Sequence, residues 1–175
     1  MTTIEQLQQE GVNAFRQGDY ETAQARFEAM IAAAEAENNP AKAAEGLNDL
    51  GVVRKQLGDL PGAFEALEKA LAYYQDADDE RGEAQVLGNL GMVEEAAGRY
   101  EDAVQSYLDS AAIFEELGDD EMAMYAWQAL SRLKLRQKEW VSAIAAYEEG
   151  IAHLPDSSIK KKLLQKLLQF PGKFM

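Results

Sequence analysis

The chain contains no cysteine and one histidine, His153. The first absence excludes disulfide bonds, thiolate zinc sites and a cysteine nucleophile. A single histidine leaves no His–Cys or His–His pair, and its place near a predicted helix end indicates a structural or surface role. The chain also has no P-loop, dinucleotide or calcium-loop motif. We therefore expect a non-enzymatic protein without a catalytic, cofactor-binding or metal site.

Long apolar runs are also missing. No segment of about 18 apolar residues occurs, and the N-terminus lacks a charged segment followed by an apolar one. We therefore expect a soluble, cytoplasmic protein. Proline is scarce, at four residues, and 47% of the chain is hydrophobic with Ala, Leu, Glu and Gln abundant, which favours helix over strand.

Basic residues are few, with 17 Lys and Arg against 31 Asp and Glu, and the formal net charge is -14. Residues 156–175 are the exception, because they carry five Lys and one Asp. An acidic surface repels nucleic acid and anionic lipid, so we expect no nucleic-acid partner. The basic tail is the segment where membrane contact is conceivable.

A short pattern recurs at a fixed interval. The stretches GDYETA, GDLPGA, GRYEDA and KEWVSA begin at Gly18, Gly58, Gly98 and Lys138, 40 residues apart each time. Each lies between two segments of helical periodicity, so the repeating unit is a pair of amphipathic helices joined by a tight turn. The predicted helices are 3–17, 20–37, 40–57, 60–75, 79–97, 100–117, 119–137, 140–153 and 157–169.

The turn chemistry explains the pattern. Gly18, Gly58 and Gly98 can end the first helix of a pair in a left-handed conformation, and Asp19 and Asp59 can cap the second helix. Between repeats, Asn, Pro and Asp residues end one helix and begin the next. Lys138 replaces the glycine in the last repeat, which predicts a turn that is slightly strained or differently closed.

This pattern resembles the tetratricopeptide repeat family, whose motif is W-x2-L-G-x2-Y, then A-x3-F, then P. The repeats here have 40 residues in place of about 34. Lys134 and Glu10 depart from the motif. The matches are Leu7, Gly11, Ala14, Ala23 and Phe27; Leu47, Leu50, Gly51, Ala63 and Leu67; Leu87, Leu90, Gly91, Ala103 and Tyr107; and Trp127, Leu130, Ser131, Ala143, Tyr147 and Pro155.

The resemblance implies an all-α fold, a right-handed superhelix of four antiparallel helix pairs with a capping helix at residues 157–169. It implies one domain over residues 1–175, with repeats at 4–37, 40–75, 79–117 and 119–155. The small residues Gly11, Gly51, Gly91 and Ser131 are expected to leave room for Ala23, Ala63, Ala103 and Ala143. Tyr20, Leu60, Tyr100 and Trp140 are expected to fill the turn end of each pair, and Phe27, Tyr107 and Tyr147 the space between repeats.

The resemblance also implies function, because such solenoids bind partners on the concave surface lined by the first helix of each pair. Amides there can match a peptide group, and arginines can bind carboxylates. The residues expected in this groove are Gln8, Gln9, Arg16, Asn48, Asp49, Lys55, Asn89, Met92, Glu95, Tyr125, Gln128, Arg132 and Arg136.

The predicted function is that of a scaffold for a protein or peptide partner. Arg132 and Arg136 lie one helical turn apart and predict an acidic portion in that partner. Gln8 and Val12 occupy places where the carboxylate clamp for chaperone tails needs Lys and Asn, so that use is disfavoured. The alternatives are a membrane-peripheral assembly factor or chaperone and a sensor of a signalling peptide or small ligand. Self-association through an exposed end is also possible.

The C-terminal segment allows two interpretations. Ile159, Leu163, Leu164, Leu167 and Leu168 share one helical face, and Lys160, Lys161, Lys162 and Lys166 occupy much of the rest. The leucine face favours a cap on the solenoid, because burying apolar side chains contributes more than attraction of the lysines to an anionic membrane. We expect a cap, with membrane contact as the alternative.

Overall fold

The computed structural model describes residues 2–154, 158 and 161–162. These residues form eight α-helices and no β-strand, as the sequence predicts. The predicted helix at 157–169 and its capping or membrane role lie outside the described residues, apart from Ser158, Lys161 and Lys162. The helices are α1 Ile4–Gln17, α2 Tyr20–Ala36, α3 Pro40–Leu57, α4 Leu60–Asp76, α5 Glu80–Ala96, α6 Tyr100–Glu116, α7 Asp120–Arg136 and α8 Trp140–Ala152.

The chain forms two compact bodies, residues 1–103 and residues 104–175, and the boundary falls inside α6. In the N-terminal body α1 packs on α2, and α3 packs on α4. The first helices α1, α3 and α5 also contact one another in sequence, so they form a row. In the C-terminal body α7 packs on α8. The prediction of a single domain stays a prediction.

Helix ends follow the predicted turn chemistry. Gly18 has φ 78°, Gly58 has φ 83° and Gly98 has φ 77°. The side chains of Asp19 and Asp59 accept hydrogen bonds from the amides of residues 22 and 62, which caps α2 and α4. Between repeats, three further side chains cap the helix that follows them. These residues are Asn39, Asp79 and Asp119.

The last turn is closed like the others, with a lysine in the glycine position. Lys138 has φ 64°, and its amide donates to Leu135 O at 3.0 Å, as Gly18 donates to Phe15 O at 3.0 Å. A left-handed conformation is unfavourable for a residue with a Cβ. The alternative of a different closure is therefore wrong, and the slight strain stays a prediction, supported by the left-handed φ of Lys138.

The small residues of the first helices meet their predicted partners only in part. A Cβ on Gly11 would lie 2.7 Å from the ring of Phe27, and one on Gly51 would lie 2.5 Å from Cγ of Leu67. The space expected for Ala23 is therefore filled by Phe27, whereas Gly51 lies against both Leu67 and the predicted Ala63, whose carbonyl oxygen would be 3.3 Å from a Cβ. Ser131 meets its predicted partner, because its hydroxyl donates to Ala143 O at 2.8 Å.

The expected filling of the turn ends holds only in part. Tyr20 and Leu60 are half-buried, and the Tyr20 ring lies 5.5 Å from that of Phe15. Tyr100 is 37% exposed and Trp140 is 60% exposed, so neither seals its turn. Phe27 and Tyr107 are buried as expected, whereas Tyr147 is half-buried.

The fourth pair compensates for its large residue. Trp127 stands where the other repeats have leucine, and Gly150 faces it, with 3.1 Å between Cβ of Trp127 and the place where a glycine Cβ would be. The residues at the position of Gly150 in the earlier repeats are Met30, Ala70 and Ser110, all buried. A large side chain on one helix is therefore matched by the smallest on the other, as dense packing requires.

Candidate functional site

The row of first helices in the N-terminal body carries polar side chains that form hydrogen bonds from one first helix to the next. Asn89 on α5 donates through Nδ2 to Oδ1 of Asn48 on α3 at 2.8 Å. Gln8 on α1 donates through Nε2 to Glu45 Oε2 on α3 at 3.4 Å. Polar contacts thus join all three first helices. We call Gln8, Glu45, Asn48, Asp49 and Asn89 the polar row.

Asp49 is the group in the polar row whose chemistry is most perturbed. Burial, which disfavours the charged carboxylate, raises its pKa to about 6, while a hydrogen bond from Gln8 acts in the opposite direction. Glu45 raises the pKa of Asp49 further through charge repulsion, and Lys42 lowers it. The carboxylate is therefore ionised at neutral pH at a cost, and an added hydrogen-bond donor or cation would relieve that cost.

One residue of the polar row, Glu45, was missed by the sequence analysis, as was its neighbour Lys42. Glu45 accepts from Gln8 and pairs with Lys42 Nζ at 2.6 Å. The signal was available, because Glu45 lies four residues before Asp49 and three after Lys42, spacings that bring side chains together on a helix. The family motif drew attention to the positions beside Leu50 and Gly51 instead.

The other predicted residues of the N-terminal body are less closely connected to the polar row. Gln9 is exposed and donates to Asn13 on its own helix at 3.1 Å. Arg16 is exposed near the end of α1. Lys55, Met92 and Glu95 are half-buried on α3 and α5.

In the C-terminal body, the four predicted residues share one face of α7. Tyr125, Gln128, Arg132 and Arg136 follow one another at steps of three and four, which places them on one side of a helix. Tyr125 is 51% exposed and Gln128 is half-buried. Both arginines are exposed. This face therefore presents an aromatic ring, an amide and two guanidinium groups to solvent.

His153 has partners that the sequence did not predict. Its ring nitrogens lie 3.0 Å from Asp120 Oδ1 and 3.1 Å from Glu115 Oε1, and Glu115 also accepts from Trp127 Nε1 at 2.7 Å. The two carboxylates approach opposite nitrogens of the ring, so they hold the imidazole between α6 and α7. This geometry fits the structural role expected for His153.

Within residues 2–154, 158 and 161–162, no group of three or more His, Asp or Glu side chains is arranged to hold a metal ion. Over the same part of the chain, none of the helices is both long enough and apolar enough to cross a lipid bilayer.

Comparison with known proteins gives a family match and structural relatives. A family model described as tetratricopeptide repeat matches residues 4–76 and again residues 82–156. Among curated protein sequences no match is found. Solved structures with this fold include BtubC (BKLC) from P. vanneervenii, with 17% identity and a TM-score of 0.72 over 98% of this chain.

A second solved structure, MamA, has 16% identity and a TM-score of 0.63, and the match covers 94% of this chain and 82% of that one. The present chain spans 66% of the BtubC chain, slightly less than two thirds of its length. At these identities the likeness concerns the fold alone. It confirms the predicted all-α, tetratricopeptide-like fold.

Proposed function

Because the chain belongs to the tetratricopeptide repeat family, a family of protein-interaction modules, we propose that it is a non-enzymatic scaffold whose first helices bind an extended peptide segment. The observation that carries the proposal is the polar row, in which hydrogen bonds link α1, α3 and α5. Amide groups there offer a donor and an acceptor together, as a peptide backbone does.

The two bodies favour different chemistry in the bound segment. The desolvated carboxylate of Asp49 favours a cation or an N–H donor, because such a group stabilises the charged form. The exposed pair Arg132 and Arg136 favours a carboxylate, which guanidinium groups bind through paired hydrogen bonds. We therefore propose that a segment bound at the polar row offers a cation or an N–H donor, and that a segment bound at α7 has an acidic portion.

Affinity capture from the native cell extract tests this proposal. The bait proteins are the wild type, an Arg132→Ala and Arg136→Ala double variant, and an Arg26→Ala and Lys69→Ala control. The control removes the same charge from exposed residues of the second helices α2 and α4, which form ion pairs with Glu10 and Glu65.

The proposal predicts that the α7 variant loses a partner that the wild type and the control both retain. Circular dichroism should show the same helix content in all three proteins, because the substituted side chains are exposed. A partner captured equally by all three proteins would contradict the proposed role of α7.

A further inference from the structure

The turn between α7 and α8 departs from the equivalent turns at a cost to stability. Lys138 occupies the position of Gly18, Gly58 and Gly98 and has φ 64°, a conformation that its Cβ disfavours. Within the described residues, the side chain of Glu139 does not cap α8 as Asp19 caps α2. It pairs with Lys134 Nζ at 3.1 Å instead.

The same turn exposes more apolar surface than the equivalent turns of the earlier repeats. Val141 is 84% exposed, and the residues 40, 80 and 120 positions before it are Glu101, Pro61 and Glu21. Trp140 is 60% exposed, although Tyr20 at the equivalent position is half-buried. Packing within the repeat therefore does not explain why apolar residues stand at positions 140 and 141.

Neighbouring positions extend the exposed apolar surface. Phe15 packs on Tyr20 in the first turn, with 5.5 Å between ring centroids. At the position equivalent to Phe15, Leu135 is 44% exposed, and Ile144, one helical turn after Trp140, is 48% exposed. We call this surface the turn patch. It consists of Leu135, Lys138, Trp140, Val141 and Ile144.

The charge around the turn patch is basic in an acidic protein. Residues 132–138 contain four cations, and the next acidic residue, Glu139, is paired with Lys134. The C-terminal body has nine Lys and Arg against ten Asp and Glu, whereas the N-terminal body has eight against 21. Five of the nine cations of the C-terminal body lie after position 155, and residues 104–154 have four Lys and Arg against nine Asp and Glu, so the basic character is local to residues 132–138.

We propose that the turn patch inserts into the interface of an anionic lipid bilayer. Trp is typical of membrane interfaces, and Lys and Arg beside it bind anionic headgroups. The distance from Trp140 to Ile144 along the axis of α8 is about 6 Å. This length is similar to the depth to which interfacial segments are buried in a bilayer. Val141 is the second residue of α8, and its side chain is exposed. A bilayer can bury such a side chain without a preformed pocket, whereas a protein partner would have to supply one.

The test uses the intact protein and intrinsic fluorescence. The chain has two tryptophans, so a Trp127→Phe variant reports on Trp140 alone. Vesicles containing equal amounts of phosphatidylglycerol and phosphatidylcholine should shift its emission to the blue, and brominated lipid should quench it. Vesicles of phosphatidylcholine alone should produce much weaker binding. A Trp140→Phe variant, which reports on Trp127, should show no shift.

Three variants separate the turn patch from the rest of the chain. Trp140→Ser with Val141→Ser should lower the partition onto anionic vesicles by about tenfold or more, because both apolar side chains are lost. Lys138→Gly should lower it about fivefold, the effect of one cation near an anionic surface. The control Leu117→Ser removes another exposed leucine, at the turn after α6, and should leave the partition unchanged.

Three results would overturn the proposal. The first is that neither kind of vesicle shifts the emission of Trp140. The second is that the double serine variant binds vesicles as well as the wild type, which would assign binding to the basic residues after position 155. The third is that a soluble acidic peptide such as oligoglutamate shifts Trp140 emission where vesicles do not, which would assign the turn patch to a protein partner.

Discussion

Asp49 is the residue of the polar row whose burial bears most directly on the stability of the fold. Its pKa is about 6 in the folded protein because burial disfavours the ionised form, against 3.8 when it is exposed to water. The folded state therefore binds more protons than the unfolded state between these values. As pH rises from about 4 to about 6, Asp49 reduces the stability of the fold.

Replacing Asp49 by Asn removes this titration and keeps a side chain that can bond to Gln8. We expect Asp49→Asn to raise the free energy of unfolding at pH 7 by up to about 3 kcal/mol, the equivalent of the pKa shift. The difference between variant and wild type should shrink as pH falls through 6 toward 4. Urea denaturation at several pH values measures it, and a difference independent of pH would contradict the account.

Lys138 has a left-handed backbone conformation that is unfavourable for a residue with a Cβ. Lys138→Gly should raise the free energy of unfolding by about 1 kcal/mol, because glycine adopts the left-handed backbone without the Cβ clash. The reverse change at an equivalent turn, Gly98→Lys, should lower it by a similar amount. Denaturant titration of both variants tests this, and a Lys138→Gly protein less stable than the wild type would refute the strain.

At the scale of elements, close approach of paired helices depends on glycine. A Cβ on Gly51 would lie 2.5 Å from Leu67 Cγ, and Leu67 is fully buried. Gly51→Ala should therefore lower the free energy of unfolding by about 1–3 kcal/mol through overpacking. Gln56→Ala, an exposed change on the same helix, is the control and should have little effect. Equal melting temperatures for the two variants would contradict this prediction, because they would show that α3 and α4 can move apart with no loss of stability.

The helix boundaries were predictable because they are set by local chemistry. Capping residues such as Asp19 and Asp59 and left-handed glycines act through hydrogen bonds within a few residues, so the sequence identifies them directly. The eight described helices accordingly begin and end within one residue of their predicted bounds.

Packing partners and exposure were less predictable, because they depend on neighbours that the repeat pattern does not specify. The pattern assigned the space at Gly11 to Ala23, but the ring of Phe27, one turn later, fills it. The pattern also predicted that Trp140 seals the end of its turn, as the equivalent Tyr20 was expected to do. In the structure Trp140 is exposed, whereas Tyr20 is half-buried. Glu45 was missed because it lies outside the repeat motif. Its spacing from Asp49 and Lys42 was visible in the sequence, but its hydrogen bond with Gln8, 37 residues away on α1, was not.

At the scale of the whole molecule, function depends on which side of the helix pairs meets a partner. The polar row and the exposed face of α7 belong to first helices, whereas the ion pairs Lys69 with Glu65 and Arg26 with Glu10 involve second helices. The central claim is that the partner binds to the first helices. The two bodies differ in charge, with 21 acidic residues in the N-terminal body and ten in the C-terminal body.

Site-specific photo-crosslinking tests the central claim most directly. A photoreactive amino acid is placed in turn at Asn89 and Gln128 on first helices, and at Glu68 and Glu148, exposed residues of second helices. After irradiation in the native extract, the account predicts a specific adduct from the first two positions and background from the last two. Adducts formed only from Glu68 and Glu148 would contradict the claim that the first helices bind the partner.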